Sequence, residues 1–178
     1  DQASMVVTTP GATRSHFMRS GIARIEQKLS VMDGSFLEFN PGALILQKAT
    51  NLEQVTNVEV DEDAEILFVE KILPGRIAHG ESFAFQQFSN RLSMKQDKQL
   101  VLLESFVLDP ENESVLPWKN SFSTPYYGSF YLISPKLKEH LPCRQKVHGL
   151  ISPKLLTGTT SLHRKAGWMV KILAGDPY

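Results

Sequence analysis

The chain has 178 residues, 42% hydrophobic and 21% charged, which suits one domain that buries roughly 70% of its unfolded surface without a cofactor or disulfide to hold it. Lysine plus arginine equals aspartate plus glutamate at 19 each, so no overall field draws the molecule to nucleic acid or an anionic membrane. The single cysteine, Cys143, excludes an intramolecular disulfide and favours a reducing, cytoplasmic setting, and no apolar run approaches the ~20 residues of a membrane helix.

Residues 5–9 form a β-branched run that begins almost at Asp1, with no entry turn before it, which points to an interior piece of a longer chain. Pro10-Gly11 closes the run with a turn pair. Residues 23–31 alternate cleanly: Ala23, Ile25, Gln27, Leu29 and Val31 share one face, and Gln27 is the one polar member of that inner row. Asp33-Gly34 predicts a tight hairpin-type turn. A short strand over 36–39, the turn Asn40-Pro41-Gly42 and an apolar run over 43–46 come next. Strands are then expected over 55–60, 64–73, 83–88, 91–94 and 100–108, with turns at Asp61-Glu62-Asp63, Gln96-Asp97-Lys98 and Asp109-Pro110-Glu111-Asn112.

Residues 129–133 are a last apolar strand before the character changes. Ser134-Pro135-Lys136-Leu137 predicts a helix start, with a capping serine and proline in the first turn, and Pro142 stops that helix after about two turns. The same tetrapeptide at Ser152-Pro153-Lys154-Leu155 predicts a second short helix, and residues 168–173 read as a strand returning to the body. The expected organisation is a β-rich body over 1–133, a short helical segment over 134–165 and a returning strand of the same domain over 166–178. The cadence of short strands gives an all-β dominated fold, a sandwich, a barrel or a stacked β-helix, with a small C-terminal helical part. Periodicity does not choose among these.

Motifs exclude more than they assign. No phosphate loop, dinucleotide-binding turn, nucleophile elbow or H-E-x-x-H pair is present, which argues against an NTPase, a hydrolase of that type or a zincin. His140, Cys143 and His148 form an H-x2-C-x4-H cluster of soft donors, but Pro142 interrupts it and no fourth ligand is evident, so an ordinary surface helix is the default. The most informative stretch is 74–83, where Gly75 and Gly80 bracket Arg76, His79 and Glu81 between two apolar runs. Glycine permits the sharp turns such a loop requires. Glu38, Glu70 and Glu81 each lie within or beside an apolar run, where a carboxylate must face solvent, pair with a base or line a wet cavity. Arg76 is a natural partner for Glu70, fixing the loop. Two functions remain open from these residues: a β-rich enzyme using Glu70 or Glu81 as acid or base near His79, or a carbohydrate- or protein-binding module drawing on Trp118, Tyr126 and Tyr127.

Three stretches, in order, resemble a known family. Gly75-Arg76, Ala78 and Gly80-Glu81 with Phe83 beyond them look like the G-R-x-A-x-G-E segment of the urease accessory protein UreD, also called UreH. Thr8-Thr9-Pro10-Gly11-Ala12-Thr13-Arg14 resembles the family's T-T-x-x-A-T-K stretch, with Arg14 where lysine is usual, and Leu37-Glu38-Phe39-Asn40-Pro41 resembles its L-E-x-x-P segment. Gly167 to Leu173 looks like the family's last strand. The resemblance implies an irregular β-helix or stacked β-sheet body and a chain that is normally longer, so this one is a fragment or a short member. It implies no catalysis. The expected function is that of a scaffold and metallochaperone that helps insert nickel into urease. Its expected partners are UreF-like and UreG-like proteins and the urease apoprotein. Nickel is carried rather than kept, along a polar path for which Glu38, Glu70, His79 and Glu81 are the expected metal-contacting residues. Gly75, Arg76 and Gly80 are expected to shape the loop.

Overall fold

The computed structural model describes residues 2–112, 115–122, 125–137, 139–150 and 152–175. Among the described residues twelve strands and two α-helices occur in order: β1 (Ser4–Thr8), β2 (Thr13–Ser15), β3 (Ala23–Val31), β4 (Phe36–Asn40), β5 (Leu44–Leu46), β6 (Asn51–Val60), β7 (Glu65–Leu73), β8 (Gln87–Gln96), β9 (Gln99–Leu108), α1 (Leu116–Ser121), β10 (Tyr126–Ile133), α2 (Leu141–His148), β11 (Leu155–Ser161) and β12 (Gly167–Ala174). They make two sheets. The larger runs β1-β4-β7-β10-β12-β11, with β5 joining β2 to β7, and the smaller runs β3-β6-β8-β9. The fold is thus all-β dominated, as the strand cadence requires.

From β3 to β8 the long strands alternate between the sheets. β1, β4 and β7 pair in parallel in one sheet, and β3, β6 and β8 pair in parallel in the other. The pairings of β8 with β9, β7 with β10, β10 with β12 and β11 with β12 are antiparallel. This alternation corrects the hairpin reading of Asp33-Gly34. Gly34 does take positive φ, 67°, but β3 and β4 lie in different sheets, so the turn crosses from one layer to the other. It stacks on its neighbour: the Asp33 amide donates to the Asp61 carboxylate and the Asp63 amide donates to that of Asp33. Exchange between two turns takes the place of closure within one hairpin.

Period two sends alternate side chains between the layers. One apolar cluster holds Val58, Ile66, Phe68, Leu92, Tyr131 and Ile133, and a second holds Leu46, Leu52, Ile72, Phe88, Leu108 and Val115. Trp118 on α1 packs against the second cluster, its ring stacked on that of Tyr127 at 4.8 Å between centroids. Each ring thereby covers a face of the other.

Three local expectations change. Residues 83–86 are not strand: Phe83 has φ 52° and β8 begins at Gln87, because the chain is still turning there. Pro142 begins α2 instead of ending a helix, since a first-turn proline lacks only an N–H that the helix would leave unpaired. Both Ser-Pro-Lys-Leu sequences form the same serine turn, in which the lysine amide donates to the serine hydroxyl, Lys136 to Ser134 at 3.0 Å and Lys154 to Ser152 at 3.2 Å. The second leads straight into β11, so the residues expected to be helical there are strand. A capping serine and a serine turn use the same local hydrogen bond, and the residues beyond the turn decide between them.

Candidate functional site

The two apolar clusters are separated by a row of polar side chains, because most of the long strands carry one near the middle of the inward-facing set. Gln27 on β3, Gln54 and Thr56 on β6, Glu70 on β7, Asn90 on β8, Glu104 on β9, Ser129 on β10 and Lys171 on β12 make up the row. The hydrogen bonds of Gln54 and Asn90 to Glu70 run across the layers, and that of Thr56 to Gln27 joins neighbouring strands of one sheet. Gln54 Nε2 donates to Glu70 Oε1 at 2.8 Å, Asn90 Nδ2 lies 3.4 Å from both Glu70 oxygens, and Thr56 Oγ1 donates to Gln27 Oε1 at 2.8 Å.

Glu70 is 5% exposed and has amide donors but, among the described residues, no cation within salt-bridge distance. Burial dominates and pushes its carboxyl up to about 7, against the opposing pull of Lys171 and the Asn90 and Gln54 amides. A cavity of about 100 Å³, lined by Gln27, Gln54 and Glu70 together with Thr13 and Gly42, adjoins this end of the row.

At the other end, Lys171 Nζ is surrounded by oxygens: Glu104 Oε1 at 2.5 Å, Tyr131 Oη at 2.6 Å, Tyr127 Oη at 2.9 Å and Ser129 Oγ at 3.1 Å. Both tyrosine hydroxyls in turn point to Glu104 Oε1, at 3.4 Å from Tyr127 and 3.3 Å from Tyr131. Burial lowers the Lys171 ammonium below the usual lysine range while Glu104 pulls it back up, and burial raises both phenols. Ser129 sits between the two ends, in register with Glu70 on one side and Lys171 on the other.

The residues singled out in the sequence fall in three places. Glu70 lies in the polar row. Glu38 pairs in register with Leu67, on the face of the sheet opposite the one that carries Glu70, and its Oε1 is 3.4 Å from Asn40 Nδ2. Arg76, His79 and Glu81 belong to the loop after β7, where His79 is exposed on a 3-10 turn at Ile77–His79. Arg76 does not reach Glu70. It clasps Glu81 instead, Nη2 to Oε2 at 2.6 Å, because Glu70 points into the core while Arg76 lies past the strand end in solvent. The second Glu81 oxygen accepts the Lys48 amide at 2.9 Å, and these bonds, the Arg76 one foremost, hold its carboxyl below the usual range.

Gly75 is required by proximity: a Cβ there would run into the Glu81 carbonyl oxygen. Gly80 has open space around it and φ 71°. The loop is therefore a clasp with a tight crossing at one glycine and a left-handed turn at the other.

The H-x2-C-x4-H residues do not converge. His140 Nε2 lies 3.8 Å from Glu65, His148 Nδ1 lies 3.1 Å from the Thr159 hydroxyl, and Cys143 is exposed. Among the described residues no group of three or more His, Cys, Asp or Glu side chains is placed to hold a metal ion, and no helix is long and apolar enough to cross a membrane. Sequence reading finds Gln27 and Glu70 but passes over Gln54, Asn90, Glu104, Ser129 and Lys171. A signal for them exists: one polar residue in the middle of an otherwise apolar alternate row, repeated from strand to strand.

Comparison with known proteins agrees with the family resemblance read from the sequence. The chain is 30% identical over 175 residues to a protein of Opitutus terrae named Urease accessory protein UreD, covering 98% of this chain and 64% of the relative. Proteins of the same name from Yersinia enterocolitica, 29% identical over 181 residues, and Photorhabdus laumondii, 26% over 180, are each covered to 55% of their length by 96% and 97% of this chain. The chain thus spans between about half and two thirds of the length of these relatives, which are named as accessory proteins of an enzyme. The family model described as UreD urease accessory protein matches residues 1–178, and the chain belongs to that family.

Proposed function

We propose that this chain is a non-catalytic scaffold in urease maturation. It works in the cytoplasm with UreF-like and UreG-like proteins on the urease apoprotein, and helps to deliver nickel to the urease active site. Family membership supports the role, and the polar row supports its mechanism. The row crosses an otherwise apolar core and offers carboxylate, amide and hydroxyl oxygens without gathering three strong ligands anywhere among the described residues. Oxygen donors this sparse attract a divalent ion and release it, where a dedicated site would keep it.

In this reading Glu70 is the interior carboxylate on the path, and Glu38, His79 and Glu81 are contacts nearer the surface. Gly75, Arg76 and Gly80 hold the loop that carries two of them. The test is nickel-dependent activation of urease by the full-length protein with its partners. Glu70→Gln should reduce activation at limiting nickel while pull-down of the partners is unchanged, and single substitutions at Glu38, His79 and Glu81 rank the outer contacts. Undiminished activation by Glu70→Gln at limiting nickel would refute a path through this row.

A further inference from the structure

The four oxygens around Lys171 make a cation site that the protein fills with its own side chain. An ammonium has three protons, yet Lys171 Nζ has four oxygen neighbours between 2.5 and 3.1 Å, contributed by Glu104, Tyr127, Ser129 and Tyr131. The oxygens come from β9 in one sheet and β10 in the other, while the lysine stands on β12, so the cage is assembled by the fold and not by the lysine. All four are oxygens and one is a carboxylate, the donor set of a hard or borderline divalent cation held weakly.

Lys171 sits at the end of the polar row opposite the cavity beside Glu70, with Ser129 as the link. We propose that Lys171 is the gate of the row: its ammonium is a tethered cation occupying an oxygen site, and a free divalent cation passes that point only when Lys171 swings out. Two cations cannot share the cage, because each needs the same Glu104 oxygen and like charges a few ångströms apart in a partly buried site repel. The side chain is long enough to leave, being 28% exposed and held on a flexible stem. The gate deepens the proposed function and rests on it for its purpose, but the cation site is testable without urease.

Equilibrium dialysis of the protein against Ni2+ alone reads the site. Lys171→Met keeps the apolar stem and empties the cage. It is expected to bind one ion per chain that the unaltered protein does not, or binds about tenfold more weakly, and Lys171→Met combined with Glu104→Gln is expected to lose that ion again. A folded Lys171→Met protein that binds no more Ni2+ than the unaltered one overturns the inference, as does extra binding that survives Glu104→Gln.

Should Lys171→Met fail to fold, lysine acetylation of the unaltered protein, mapped by mass spectrometry, decides instead. Added Ni2+ should raise labelling of Lys171 and leave the exposed Lys28 unchanged, and unaltered Lys171 labelling at saturating Ni2+ overturns the gate. Activation that is indifferent to Glu70→Gln would remove the transport path, whereas the dialysis result stands or falls by itself.

Discussion

Lys171 on β12 and Glu104 on β9 meet across the gap between the two sheets, 2.5 Å apart and 67 residues apart in sequence. Each is the charged member of an inward row, and each is neutralised by a strand of the opposite layer. Removing one partner leaves the other charge in a largely dry setting. Lys171→Met is expected to lower stability by about 3 kcal/mol, and the Glu104→Gln, Lys171→Met double variant by less than the sum of the two single losses. Urea unfolding of the four proteins of this cycle measures the coupling, and strict additivity would mean that the pair contributes nothing.

Glu70 gives the protein an unusual pH dependence. Its folded pKa, about 7, lies above the ordinary 4.5, so the folded state holds the proton more tightly than the unfolded chain. Its contribution is fully present below about pH 4.5 and is lost as pH rises through about 7, a difference on the order of 3 kcal/mol. Glu70→Gln should flatten stability between those limits and stabilise the protein at pH 8. Urea midpoints at pH 5, 6, 7 and 8 for both proteins check this, and parallel profiles would contradict it.

Glu81 predicts the opposite sign. Its carboxyl is held low by Arg76, so its contribution is present above the ordinary carboxylate range and disappears as pH falls below it. Glu81→Gln should lower the urea midpoint at pH 7, with the difference shrinking toward pH 3. Hydrogen exchange at the Lys48 amide, which donates to Glu81, should quicken in the same variant.

The two loop glycines should differ in cost. A Cβ on residue 75 meets backbone, the Glu81 carbonyl, so Gly75→Ala requires the loop to move and should cost several times more stability than Gly80→Ala. Gly80→Ala has space and loses only the glycine's ease at φ 71°, about 1 kcal/mol. Thermal unfolding of the two variants compares them, and equal losses would show that the crossing at residue 75 is loose.

Much of the fold can be read from period two. Residues 23–31 form β3 with the same two bounds, and the inner row found there is the less exposed one. Strand identity and facing follow from local alternation, since side chains on a strand have only two directions to choose from. The tripeptide-scale signals are weaker. Asp33-Gly34 encodes a turn but not its destination, and Ser-Pro-Lys-Leu encodes a serine turn that a helix or a strand can follow.

The loop at 74–83 shows the same limit. Its glycines and charges mark it correctly as a constrained turn, yet the partner of Arg76 depends on which way Glu70 points. By itself, then, the sequence determined most of the strands, the inner face of β3 with Gln27 on it, Glu70 as a carboxylate set in an apolar run, and the family resemblance carried by three short segments. Tertiary structure decided what those polar residues face. Glu70 finds Gln54 and Asn90, and Glu104 finds Lys171, only because β6, β8 and β9 lie across from β7, β10 and β12. Alternation fixes the side of a sheet to which a residue points, whereas its partner across the core is set by how two sheets are stacked, a long-range packing choice that no local pattern contains.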